Sequence, residues 1–224
     1  MFRNKLTGPD LLLVAANLFP VYGVWFLGWN ATEAFIVYAM ETMIVGVMTV
    51  LKLGVATLVR GKDDWYNAGS PTKVSGLFFI VFFMLHFGLF AAVQTSIFSE
   101  TAHINPPGAG MFHFFFKWYT YINTEIGYML LAFIIGYLAR SFLPFLLNGE
   151  YRTLPMAIIM FQPYGRIFIQ QFTVIAGSLF LGFGFGKGFI LVFALAKIGF
   201  ETLVNFDSVL KKARDTMKKG SSEE

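Results

Sequence analysis

The sequence predicts an all-α, polytopic transmembrane bundle of six spans with both termini cytoplasmic. Three observations carry this. Hydrophobic residues fill 56% of the 224 positions and charged residues only 13%, more apolar surface than one soluble core can hide. The apolar residues fall in stretches of about 20, the length that crosses ~30 Å of hydrocarbon, and lack the alternation of a membrane β-barrel. Basic residues collect on alternate connections, as the positive-inside rule expects of an even number of spans.

The first span, 10–29, carries Asn17 and Pro20 and ends in Trp25 and Trp29. Proline frees a backbone carbonyl inside a helix, which an amide such as Asn17 can satisfy. Arg3 and Lys5 before an apolar run also resemble a signal peptide. The interruptions and the interfacial tryptophans favour a retained span. The second span, 32–58, carries Tyr38, Glu41 and Lys52 near one another in rotation, and the third, 74–98, has His86 at its midpoint and Gln94 two turns further on. An outer connection follows from Ser99 to Thr124. Its Asn105-Pro106-Pro107-Gly108 run breaks any helix. The aromatic stretch from Met111 to Tyr121 around Lys117 reads as a segment in the headgroup layer, either an ordinary aromatic belt or a lid or lipid-docking site.

The fourth span is 126–147. The next connection, within 148–164, holds Met156–Phe161 between Pro155 and Pro163, too short to cross and read as an interfacial or re-entrant helix. Span five, 165–185, lines up Arg166, Gln170, Thr173 and Gly177 on one face; span six, 188–210, does the same with Lys197, Glu201 and Asn205. The glycines around 177–188 lack the strand and Gly-Lys-Ser/Thr of a phosphate loop and suit close packing or a loose turn. Residues 1–210 therefore read as one domain, with 211–224 a basic cytoplasmic tail. Arg3, Lys5, Arg60, Lys62, Lys73, Arg140, Arg152 and the tail cluster lie inside, against only Lys117 and Lys187 outside. That distribution and anionic headgroups account for the net charge of +4 without a nucleic-acid partner. The expected location is a prokaryotic plasma membrane, with the lipid bilayer and either a second copy or another membrane protein as partner. With no cysteine, disulfides and thiolate metal sites are excluded.

Ionisable groups at membrane depth are costly and usually face one another or a wet cavity. Glu41, His86, Lys197 and Glu201 share a depth, and Asn17, Gln94, Arg166 and Gln170 extend the polar set. Three readings compete. Lys197 pairs with a carboxylate in a network that holds the bundle together. The same groups line a path for protons, ions or a small polar solute, since carboxylate, imidazole and amine can each pass a proton on. Or Glu41, His86 and Glu201 bind a divalent metal, a ligand set suited to zinc, iron or manganese. Against the metal, Lys197 repels a cation and no Glu-x-x-His pair occurs. His103 and His113 lie in the outer loop, away from matching haem-ligand depths, and no Gly-x-Ser-x-Gly nucleophile turn appears. No cofactor is expected otherwise. The leading functional expectation is a non-enzymatic transport or channel-like protein with Arg166 as a gate or anchor. An accessory subunit comes next, and an intramembrane metalloenzyme third.

Several phrases together carry a resemblance: Asn17-Leu18-Phe19-Pro20 with Gly23-Val24-Trp25-Phe26-Leu27-Gly28-Trp29, then Tyr38-Ala39-Met40-Glu41, Leu85-His86-Phe87-Gly88 and Pro163-Tyr164-Gly165-Arg166-Ile167. In this order the chain resembles a prokaryotic family of multi-span membrane proteins known only as a domain of unknown function. The resemblance implies a shared fold and a role for Glu41, His86 and Arg166. A second histidine associated with the His86 span stands here as Gln94, which counts against metal binding, and the acidic position of span six falls to Glu201 or Asp207. It implies no reaction and no substrate.

Overall fold

A computed structural model describes residues 8–67, 70–165, 167, 180 and 183–203, and these are mostly helical. Helix α1 runs Gly8–Phe26 and α2 Ala31–Arg60. Strands β1 (Lys62–Asn67) and β2 (Ser70–Ser75) form an antiparallel hairpin with Lys62 opposite Ser75. Helix α3 is Gly76–Thr101 and α4 is Thr124–Leu147. Helix α5 covers 156–165 and α6 is Gly186–Leu203. Three of these are long and apolar enough to cross a membrane: α2, α3 and α4. Leu11–Phe26 and Ile190–Gly199 are shorter apolar runs.

Local chemistry sets the helix starts. The side chains of Asn30, Ser75 and Asn123 accept from the backbone N–H groups of Thr32, Leu77 and Ile126, satisfying donors that the first turn leaves over. Gly61 ends α2 at φ 70, a backbone conformation glycine adopts without strain. Pro144 cannot donate within α4, and the helix widens there into a π turn over Leu138–Phe142.

Helix α2 is the hub, packing against α1, α3, α4 and α6, while α1 also packs against α4 and α6. Its stretch from Ala34 to Thr42 is buried all round, which explains why it shows little amphipathic periodicity. The helices α1, α2, α4 and α6 enclose a core of Leu13, Tyr38, Phe133 and Phe193. Large apolar side chains such as Leu58, Leu85 and Leu89 point outward, an arrangement that lipid tolerates and water does not.

The hairpin forms the connection between the second and third helices, and the third begins at Gly76. Arg60 explains it: its guanidinium bonds Asp63 Oδ2 at 3.0 Å and the Leu154 carbonyl at 2.8 Å. The Met156 N–H also donates to Asp63 Oδ2, tying the hairpin to α5. Met156, Ile159 and Met160 of α5 are then fully buried. Most of the fifth expected span, the end of the sixth and the tail lie outside the described residues.

Candidate functional site: a buried lysine–glutamate pair

Three depths coincide. Glu41 lies roughly 15 Å along α2, Lys197 roughly 16 Å along α6 and Asn17 roughly 14 Å before the end of α1, at 1.5 Å per residue. The contiguous ends of these helices are tied together: Trp25 Nε1 donates to the Lys187 carbonyl at 3.1 Å and Asn123 Nδ2 to Glu33 at 2.7 Å. Equal depth on neighbouring helices therefore becomes contact.

Lys197 Nζ forms an ion pair with Glu41 Oε2, and the two side chains are 4% and 0% exposed. The ammonium also donates to Asn17 Oδ1 at 2.8 Å. The Tyr137 hydroxyl donates to the other carboxylate oxygen, Glu41 Oε1, at 2.6 Å, within the short range of charge-assisted bonds. Phe133 and Tyr38 place their rings 4.7 and 5.3 Å from the ammonium, adding cation–π attraction in a water-poor site. Tyr38 packs edge-on against Phe193 at 4.5 Å and its hydroxyl donates to the Asn17 carbonyl at 2.7 Å. Asn17 Nδ2 in turn donates to the Leu13 carbonyl at 2.9 Å. The amide thus serves the turn before it and the lysine, rather than the carbonyl that Pro20 leaves free.

Such a pair is expensive to assemble. Each ion loses several kcal/mol of hydration, which the mutual attraction offsets only when every lone pair and proton finds a partner. Here a tyrosine, an amide and two ring faces supply those partners, from three helices. Tyr137 immediately precedes the π turn of α4; such turns recur at functional positions because they re-aim a side chain.

The remaining polar residues fall elsewhere. His86 is exposed on α3, with Nδ1 2.7 Å from the Tyr164 hydroxyl of α5. Its ring stacks on Phe82 at 5.6 Å, so it belongs to a different contact set from Glu41. Gln94 is fully buried between α3 and α2, where Thr42 donates to its Oε1 at 3.4 Å. Lys52 is buried over the Phe145 ring at 5.3 Å. Arg166, Gln170 and the Glu201 side chain lie outside the described residues. Among the described residues no group of three His, Asp or Glu side chains could hold a metal ion.

Sequence reasoning passes over Tyr137 and Phe133. A signal exists: they are four residues apart on one face, and Tyr137 is a tyrosine deep in an apolar span, whereas membrane tyrosines favour the interfaces. Tyr164 enters only through the Pro163-Tyr164-Gly165 phrase.

A family model described as a family of unknown function (DUF6498) matches residues 2–220. No curated protein and no solved structure matches the chain.

Proposed function

Since the chain belongs to this family of unknown function, no reaction can be borrowed, and from the buried pair we propose a transport or channel-like membrane protein. In this reading six spans place both termini in the cytoplasm, and the Glu41–Lys197 pair is the charge switch of a path for protons or a small polar solute. The supporting observation is the pair itself: opposite charges 0% and 4% exposed, contributed by two helices and closed by groups from two more. The carboxylate, the Tyr137 hydroxyl and the ammonium are each able to accept or release a proton, as a relay requires. Separating α6 from α2 would break one ion pair and expose both charges together, coupling helix movement to charge.

The test is flux in reconstituted vesicles. Glu41→Gln and Lys197→Met, each confirmed to be folded, abolish proton or solute movement if the reading holds. Movement undiminished by both variants overturns it.

A second reading is a structural latch in an accessory subunit, favoured by the completeness with which Tyr38, Phe133 and Asn17 close around the lysine. Under it the variants affect stability alone, no flux is found with any solute in the unsubstituted protein, and another membrane protein co-purifies in fixed proportion.

A further inference from the structure

One ring nitrogen of His86 is unused among the described residues. Its Nδ1 lies 2.7 Å from the Tyr164 hydroxyl, whereas Nε2 has no hydrogen-bond partner there. A neutral imidazole carries one proton, so one nitrogen donates and the other accepts. With the proton on Nδ1, the Tyr164 O–H and the Nε2 lone pair both go unmatched. With the Tyr164 hydroxyl donating to Nδ1, a single group is left over, an N–H at Nε2. The second arrangement leaves fewer polar groups unmet, and it sets the tautomer.

That N–H is open to a ligand. His86 is exposed on α3 between Leu85 and Leu89, which are 70% and 65% exposed. It lies roughly 15 Å from the start of the helix at Gly76, at 1.5 Å per residue, about half of the ~30 Å hydrocarbon layer. A donor without an acceptor is costly at that depth. Water and lipid ester carbonyls belong to the interface, so the acceptor arrives sideways, on a molecule dissolved in the bilayer. The surroundings favour a flat one. Phe82 stacks on the imidazole at 5.6 Å with 15° between the rings, and Phe78 stacks on Phe82 at 5.8 Å. Trp65 of the hairpin ends this row, edge-on to Phe78 at 5.6 Å. From α5, Phe161 is 39% exposed and lies 5.7 Å from Tyr164. Aromatic rings gain from packing against further rings.

We propose that His86 and its ring neighbours Phe82 and Phe161 form a lateral binding site for the head group of a lipid-soluble quinone. One quinone carbonyl accepts the Nε2–H, and the flat ring lies against the phenylalanines. A haem iron or other metal needs a lone pair at Nε2, and the Tyr164 bond leaves that lone pair on Nδ1. A fatty acyl chain offers no acceptor at this depth. Binding requires that α3 span the bilayer and is independent of any transport.

The chain has three histidines, so isotope-labelled histidine in lipid nanodiscs gives three imidazoles to follow by NMR. His103→Gln and His113→Gln identify the loop pair and leave His86 by elimination, without touching the site. At slightly alkaline pH, His86 should show the proton on Nε2. Tetramethyl-p-benzoquinone should shift that nitrogen saturably and leave His103 and His113 unmoved. Tetramethylbenzene, which has the same outline but no carbonyl, should not. A proton on Nδ1, no shift with the quinone, or equal shifts with both compounds overturns the site. Saturable quenching of tryptophan fluorescence by the same quinone supplies the affinity. His86→Phe keeps a ring in the row but removes the donor, and should weaken binding ~10-fold, the loss of about one hydrogen bond. Undiminished affinity in folded His86→Phe refutes the hydrogen bond and with it the site. Neither measurement reads flux, so a failed transport assay leaves both outcomes meaningful.

Discussion

Removing Lys197 should expose how the bundle is held together. In Lys197→Met the side chain keeps much of its length, so no large cavity opens, but Glu41 Oε2 loses its cation and Asn17 Oδ1 loses its 2.8 Å donor. A buried charge deprived of its partner costs ~3–5 kcal/mol. At ~2–4 °C per kcal/mol for a chain of this size, the apparent melting temperature falls by about 6–20 °C. Glu41→Gln strands the ammonium instead and should cost a similar amount. The double variant Glu41→Gln/Lys197→Met buries no charge, and a neutral replacement of a buried pair is often nearly harmless. We expect it to lose only ~1–3 kcal/mol, against ~6–10 kcal/mol if the single losses simply added. Thermal unfolding in detergent, followed by tryptophan fluorescence, measures all four corners of the cycle. Additive losses would refute the claim that the two residues act as one pair.

Other expectations follow from single contacts. Tyr137→Phe removes one hydroxyl from a charged acceptor and should cost ~1.5–3 kcal/mol in the same unfolding assay, and only ~0.5–1.5 kcal/mol in a Glu41→Gln background, where the acceptor is a neutral amide oxygen. Gly23→Ala places a methyl 1.9 Å from Trp29 Cε3, and the ring, packed edge-on against Phe19 at 5.4 Å, must move. A shifted tryptophan emission and a loss of ~1–3 kcal/mol are expected; Trp29→Ala should relieve the loss. Burial holds the Tyr121 phenol above its ordinary 10.0, so folding favours its neutral form. Its stabilisation is complete below the unfolded value and fades as pH climbs through the raised folded one. Burial raises the Tyr164 phenol too, to about 12, so a spectrophotometric titration should show a late-ionising tyrosine fraction that Tyr121→Phe lowers by one residue without abolishing it.

Much of the architecture was legible because lipid imposes a coarse demand. A span must be long and apolar, and Ala31–Arg60, Gly76–Thr101 and Thr124–Leu147 meet that requirement through composition alone. The helix starts at Asn30, Ser75 and Asn123 are equally local, each settled within three residues of chain. The 62–75 hairpin was illegible because its stability comes from elsewhere: Asp63 is engaged by Arg60 and by the Met156 backbone, a contact across 93 residues. At the site, the cost of burying charge announced Glu41 and Lys197 from sequence. It could not announce Tyr137, whose hydroxyl is unremarkable until a carboxylate stands opposite.

The division has a physical basis. Composition and spacing alone determined that the chain is rich in long apolar helices, and that Glu41, His86 and Lys197 need an explanation, because desolvation depends only on a residue and its depth. Which of them meet depends on rotation and neighbour choice. Only the packing of α1, α2, α4 and α6 around one core brought Asn17, Glu41, Tyr137 and Lys197 together. The same packing left His86 on another face with Tyr164. Depth is a property of the sequence along one helix, whereas pairing is a property of several helices at once.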